Sequence, residues 1–259
     1  AGSVRKSQLL ILVSYLRSKQ IMVYGVILAG GVGKRTGLKI PKQYIEILNK
    51  PVIIYTLEAF LSFKQIDEIY IAIAKEWTEK VNEMIEKFIK PEDRKRITLV
   101  EGGKERVDTI INVEKYIIEN KTITDDDIII FHDAVRPFTN EDIIINSINC
   151  ARKHGAAVAG VKAADTMLKS KDGEKVDEIL DRSQIYLGQA PDTFRLKHFI
   201  ELEQKLTDEQ KKQITGTSQF STFNGEPIYI SESNDMNFKI TTIEDVEKAI
   251  SIIKGNDKK

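Results

Sequence analysis

Apolar residues along this chain fall into short unbroken runs, separated by stretches in which they recur every three or four positions. Residues 23–30, "VYGVILAG", are almost wholly apolar and of strand length. Residues 51–63, "PVIIYTLEAFLSF", open on Pro51, a favourable first helical residue, and space their apolar positions as a helix does. The alternation continues. "DEIYIAIA" (67–74) predicts a second strand, and "KEWTEKVNEMIEKFI" (75–89) an amphipathic helix. "RITLVEGG" (96–103) predicts a third strand ending in a glycine turn, and "KERVDTIINVEKYIIEN" (104–120) another helix. "DDDIIIFHDA" (125–134) is a β-branched fourth strand, "NEDIIINSINCARKHG" (140–155) a helix closed by Gly155, and "AAVAGVKA" (156–163) a fifth strand.

Strands that are apolar throughout and alternate with helices predict an α/β fold: a Rossmann-like, doubly wound, mostly parallel sheet covered on both faces. Ligands of such sheets sit at the carboxyl ends of the strands. Three candidate segments fall there: Gly30 onward, Gly102 with Gly103, and His132 with Asp133.

The regularity breaks at residues 163–188. "DTMLKS" and "KVDEIL" flank a Lys-Asp-Gly turn at Asp172 and Gly173, which reads as a protruding β-hairpin arm. Such an arm cannot bury its own apolar residues, so a second subunit is its expected support. The tail reads as a helix over 195–205, an irregular stretch, a strand at "EPIYIS" and a last helix, with Thr241 and Glu244 as its capping box. The expected organisation is an N-terminal extension at 1–22 and one domain at 23–255, with 163–188 as its arm.

Composition narrows the function. Lys plus Arg number 39, as do Asp plus Glu, so nucleic-acid or anionic-membrane binding driven by net charge is not expected. Cys150 is the only cysteine, which excludes an intrachain disulfide and fits a reducing cytoplasm. "VRKSQLLILVSYLRSKQ" resembles a signal peptide but lacks a small-residue cleavage site, so a native extension is the expectation. No apolar run is long enough to span a bilayer.

Positive charge and bare backbone gather at residues 28–44, "LAGGVGKRTGLKIPKQY", with four glycines, Lys34, Arg35, Lys39 and Lys42. Successive glycine N–H groups form an anion nest, so phosphate is the expected guest. Two common phosphate motifs fail. A Walker loop would need glycine at Leu28 and Ser or Thr at Arg35, and a dinucleotide fingerprint would need Gly or Ala at Thr36.

The stretch resembles the signature of nucleotidyltransferases that activate sugar or polyol phosphates: Leu-Ala-Gly-Gly-x-Gly-x-Arg, then Pro-Lys-Gln. "EGGKERVDTI", "HDAVRPF", "DRSQIYLGQAPDTF" and "NFKITT" follow in the order found in CTP-dependent polyol-phosphate cytidylyltransferases. That resemblance implies the nucleotide-diphospho-sugar transferase type of sheet and a homodimer through the arm. It also implies CTP and a polyol phosphate as substrates, with Mg²⁺ as cofactor. "LAGG", "KEW" and "YLGQ" look closer to the ribitol-5-phosphate branch, which supplies wall polymers. "DTMLKS" and "DRS" look closer to the 2-C-methyl-D-erythritol 4-phosphate branch of isoprenoid synthesis. The ribitol branch is the favoured expectation, the methylerythritol branch the alternative, and a non-catalytic nucleotide-binding protein a third. Gln189-Ala190-Pro191-Asp192 stands where the pattern has Gln-Thr-Pro-Gln, and Thr215-Gly216 where it has Thr-Asp; both departures touch the acceptor side.

By the same resemblance, Arg35 and Lys42 are the cations at the α- and β-phosphates, and Asp133 is the Mg²⁺ ligand. Ala29, Gly30, Gly31 and Gly33 meet the nucleotide through backbone, and Gly103, Arg106 and Thr109 serve base and ribose. Arg136, Thr166, Arg182 and Lys239 take the acceptor, the last two also counted with the catalytic set. Plainer readings stand beside these. Asp133 can be a turn aspartate, His132 a packed neighbour, Thr109 an ordinary helix residue, Arg182 an ion-pair partner of Asp181 or Glu178, and Lys239 a surface lysine.

Overall fold

The computed structural model describes residues 21–31 and 40–256. Gly33, Arg35 and residues 1–20 of the expected extension lie outside the described residues. Three strands open the fold: β1 (Val23–Ala29), then the two-residue β2 (Glu46–Ile47) and β3 (Lys50–Pro51). From there α1 (Val52–Ser62), β4 (Glu68–Ile73), α2 (Thr78–Phe88), the single turn α3 (Pro91–Arg94), β5 (Ile97–Glu101), α4 (Arg106–Asn120), β6 (Ile128–Asp133), α5 (Glu141–His154) and β7 (Ala156–Lys162) follow. The arm is β8 (Met167–Lys169) with β9 (Glu178–Leu180). The tail holds β10 (Tyr186–Arg195), α6 (Leu196–Lys205), α7 (Asp208–Gln213), α8 (Gln219–Phe223), β11 (Tyr229–Glu232) and α9 (Ile243–Asn256).

Among the described residues seven strands form one sheet in the order β11-β7-β10-β6-β1-β4-β5. Every neighbouring pair is parallel except those of β10, which runs antiparallel to both β6 and β7. The chain steps outward from β1 through β4 to β5, then returns to lay β6 on the other side of β1. That reversal is the switch point at which a crevice opens beyond the strand ends.

Alternate residues of each strand serve opposite faces. Ile27, Ile71 and Ile130 pack with Leu57 and Phe60 of α1, Met84 of α2 and Ile148 of α5. Val26, Tyr70, Phe131 and Phe194 pack with Ile110 and Ile117 of α4, Phe199 of α6 and Phe220 of α8. The expected two-faced, mostly parallel sheet is what the chain forms, and β8 and β9 pair antiparallel at the expected arm.

Two expectations are corrected. Residues 186–188, counted with the arm, and 189–194, assigned to no element, belong to β10, the longest strand among the described residues, with a register irregularity between Gly188 and Asp192. The last capping box lies one residue later. Thr242 N–H donates to Asp245 Oδ2 at 2.8 Å and Asp245 N–H to Thr242 Oγ1 at 3.3 Å, because α9 starts at Ile243 and Asp245 is therefore its third residue.

One buried acid breaks the apolar pattern. Glu114 of α4 is 3% exposed and its Oε2 has no hydrogen-bond partner. Burial, reinforced by Glu203, pushes its carboxyl up to about 8, against the weaker pull of Lys115 and Lys211. A folded-state value above the unfolded one means the contribution to stability is complete below about 4.5 and disappears as pH rises through about 8. In urea melts the wild-type midpoint should therefore fall between pH 6 and 9. Glu114→Gln should remove that slope and gain roughly 1–3 kcal/mol over wild type at pH 9. Parallel pH profiles for the two proteins would contradict the assignment.

Candidate active site

A cleft of about 680 Å³ opens at the carboxyl ends of β1 and β6, lined by Gly30, Lys42, Arg106, Asp133 and Lys239 among others. Ala29, Gly31, Gly103 and Thr109 also line it, so nine of the residues singled out in the sequence share this one hollow.

One wall of the cleft is built around Thr109, on the first turn of α4. Its hydroxyl accepts the Gly103 N–H at 3.0 Å and donates to the Glu105 carbonyl at 3.1 Å. Glu105 and Asp108 form a reciprocal capping box that fixes where the helix begins. Packing here requires glycine at 103 and leaves little room at 30. A Cβ on Gly103 would meet the Asp108 Cβ at 2.1 Å, and one on Gly30 would meet the Thr109 hydroxyl at 3.2 Å. Thr109 is thus an ordinary helix residue and a wall of the cleft at once.

Asp133 ends β6 beneath this wall. Its Oδ1 accepts from Arg106 Nη2 at 3.1 Å; its Oδ2 accepts from Arg136 Nε at 3.2 Å and from Lys239 Nζ at 3.1 Å. Burial works to raise its pKa, but Arg106, Lys239 and Arg136 together hold it well below the usual carboxylate range. The carboxylate stays charged at every pH where the protein would work.

The C-terminal segment delivers Lys239. Arg136 Nη1 donates to the Asn237 carbonyl at 2.7 Å, Ile240 N–H donates to the Val135 carbonyl at 2.9 Å, and Phe238 stacks on Phe138 at 5.2 Å. Asn237 is itself tied to β10, donating to the Ala190 carbonyl at 2.6 Å and to Gln189 Oε1 at 3.1 Å. Lys239 is therefore more than a loose surface lysine.

On the opposite rim Lys42 begins a single 3-10 turn, Lys42–Tyr44, and its Nζ donates to the Thr241 carbonyl at 2.7 Å. The neighbouring Gln43, quoted in the sequence only within Pro-Lys-Gln and given no role there, is buried and donates through Nε2 to the carbonyls of Ala29 at 2.6 Å and Gly31 at 3.0 Å.

Other expected residues fall elsewhere. Arg136 is buried behind Asp133 and does not line the cleft. Thr166 and Arg182 are on the arm, outside the cleft, and Arg182 Nη1 donates to the Ala164 carbonyl at 2.9 Å. Arg182 forms no ion pair with Asp181, which instead accepts from Ser183 N–H and Gln184 Nε2. His132 is a packed neighbour: it is fully buried against Phe60, and burial lowers its pKa to about 4. It is therefore neutral, with Nε2 3.1 Å from the Arg136 carbonyl oxygen.

Asp192 of β10 is a second buried carboxylate on this side of the sheet. Its Oδ2 accepts the Ser218 N–H at 3.0 Å. Burial raises its pKa to about 7, Arg106 opposing and Asp133 adding to the rise. The only sequence signal was its departure from the resembled pattern.

Among the described residues no group of three or more His, Cys, Asp and Glu side chains could hold a metal by itself. A hard divalent cation needs no such cage when a substrate brings phosphate oxygens. Asp133 offers such an ion a charged oxygen at the cleft floor, so the residues present fit Mg²⁺ held jointly with a nucleotide. No helix among the described residues is long and apolar enough to cross a membrane.

Comparison with known proteins bears on this geometry. The family model described as 2-C-methyl-D-erythritol 4-phosphate cytidylyltransferase (IspD) matches residues 23–255. The Francisella tularensis enzyme of that name is 28% identical, with a TM-score of 0.71 over 88% of this chain and 98% of that one. The 4-diphosphocytidyl-2C-methyl-D-erythritol synthase of Anaerococcus prevotii is 25% identical, with a TM-score of 0.71 over 90% of this chain and 96% of that one. The Thermus thermophilus cytidylyltransferase, 20% identical with a TM-score of 0.67, covers 91% of this chain and all of its own, and shows the shared fold.

Proposed function

The chain belongs to the 2-C-methyl-D-erythritol 4-phosphate cytidylyltransferase family, and on that premise we propose that it transfers CMP from CTP to 2-C-methyl-D-erythritol 4-phosphate, releasing pyrophosphate. The cytidylyltransferase class follows from the family. The acceptor is the proposal, and it replaces the ribitol 5-phosphate favoured by the sequence motifs, because the family match and the Francisella tularensis and Anaerococcus prevotii structures carry the methylerythritol name. One observation carries the reading: Arg106 and Lys239 pair with a charged Asp133, and Lys42 lines the same cleft beside the glycine pair.

An acceptor phosphate oxygen attacks the α-phosphorus of CTP. A new P–O bond forms, the α–β bridging P–O bond breaks, and pyrophosphate leaves with the electron pair. The acceptor is already anionic near neutral pH, so no general base is needed. The work is to hold two polyanions in line and to stabilise charge on the α-phosphate. In this reading Lys42, with Arg35, serves the α- and β-phosphates; Gly103, Arg106 and Thr109 face base and ribose; Lys239, with Arg136 behind it, serves the acceptor. Mg²⁺ held by Asp133 would supply charge neutralisation across the phosphates. With Asp133 holding such an ion, Lys239, which pairs with that carboxylate at 3.1 Å, would be free to turn to the acceptor phosphate.

Thr166 and Arg182 fit the acceptor role only by reaching a neighbouring subunit's cleft. The arm's exposed Leu168, Val176 and Ile179 support a homodimer built through it. A cytoplasmic setting suits a chain with one cysteine.

Ribitol 5-phosphate remains the second reading on a specific ground: "LAGG", "KEW" and "YLGQ" look closer to that branch. Supplying CTP with each polyol phosphate separates them. Pyrophosphate release with methylerythritol phosphate at least tenfold above that with ribitol phosphate is expected; the reverse ratio, or release only with UTP and a sugar 1-phosphate, overturns the proposal.

A further inference from the structure

We propose that Gln43 is the positioning residue that turns two carbonyls of the first glycine segment away from the nucleotide, and so sets how tightly the cleft grips a triphosphate. The inference rests on the nucleotide reading above and deepens it.

Gln43 is 6% exposed, and its side-chain amide lies at the edge of the cleft. Both amide hydrogens are spent on backbone: Nε2 donates to the Ala29 carbonyl at 2.6 Å and to the Gly31 carbonyl at 3.0 Å. A carbonyl oxygen facing a phosphate chain is repulsive, whereas a backbone N–H is attractive. In a trans peptide the C=O and the following N–H point in opposite directions. With the Ala29 carbonyl held on Gln43, the Gly30 N–H is turned away from it. Gly31 precedes residues 32–39 and Gln43 follows them, so the two bonds also join the chain on either side of that basic segment.

Lys42 adds a reason for this placement. It stands next to Gln43 on the same short turn, anchored to the Thr241 carbonyl at 2.7 Å. One turn therefore sets both a cation and the orientation of the backbone facing it. Glycine alone could not do this, because a residue without a side chain has too many backbone states to hold a carbonyl in one direction.

The test uses Gln43→Met, which keeps length and bulk but cannot donate. Trp77 is the single tryptophan and stacks on Tyr44 at 4.0 Å, so its fluorescence reports CTP binding beside the turn. The Kd and KM for CTP should rise about tenfold, with kcat and the acceptor KM changed less than about threefold, as loss of uniform binding requires. Gln43→Met that binds CTP as wild type does, whatever its thermal midpoint, overturns the inference. Should the variant not fold, solvent exchange of the Gln43 side-chain amide in the wild type decides. Protection with and without CTP is expected, and fast exchange in both overturns the inference. A wild-type protein whose Trp77 and turnover both ignore CTP would instead sink the nucleotide reading.

Discussion

Replacing Asp133 with asparagine is expected to lower kcat/KM by about 10³-fold or more, with substrate binding that magnesium no longer strengthens. The shape is kept, so the loss isolates charge. Two consequences act together. The hard carboxylate that would share the metal is gone, and Arg106, Arg136 and Lys239, all bonded to it within 3.2 Å, are left as three cations without their counter-ion. Removing one member of a buried charge cluster typically costs about 3–5 kcal/mol, so the urea midpoint should drop as well. The sign with pH follows from a folded-state pKa held below the unfolded 3.8. Wild type has this stabilisation above about pH 4 and loses it on further acidification, while Asp133→Asn lacks it throughout. The two unfolding curves should therefore converge in acid. Pyrophosphate release within tenfold of wild type would show that Asp133 is only a turn residue.

The second large effect is expected at Lys42. Truncation to alanine should reduce kcat by about 10²–10³-fold, as loss of one preorganised charge at a transferring phosphoryl group does. Its Nζ is already held at 2.7 Å by the Thr241 carbonyl, a neutral partner that a phosphate readily replaces. Arg35→Ala should fall in the same direction. A Lys42→Ala protein with weaker CTP binding and unaltered turnover would contradict a role in the chemical step. Rapid-quench measurement of CMP transfer at saturating CTP separates the two outcomes.

The architecture was legible where local pattern and burial agree. Apolar runs such as "VYGVILAG" and "DDDIIIFHDA" become strands buried on both faces, and the glycine turns and Asp133 fall at their carboxyl ends, where they line one cleft. What escaped was set by long-range partners. β10 carries Gly188, Gln189, Pro191 and Asp192, residues that dilute any strand signal; its place between β6 and β7 is fixed by pairing with Phe131 and Val158, not by propensity. Gln43 sat inside a recognised "PKQ" triplet, but nothing local says that its amide would reach back 12 and 14 residues to two carbonyls. Asp192 was visible as a departure, and its bond to Ser218 N–H depends on α8 folding over the sheet. The shift of the capping box from Glu244 to Asp245 is a one-residue ambiguity inherent in two consecutive threonines.

The most direct test is a crystal structure of the protein with CTP and magnesium. The triphosphate should lie between the Gly30–Gly31 backbone with Lys42 on one side and Asp133 on the other, with base and ribose toward Gly103, Arg106 and Thr109 and the metal on the Asp133 carboxylate. A nucleotide bound away from the ends of β1 and β6, or phosphates that touch neither Lys42 nor a metal on Asp133, would contradict it.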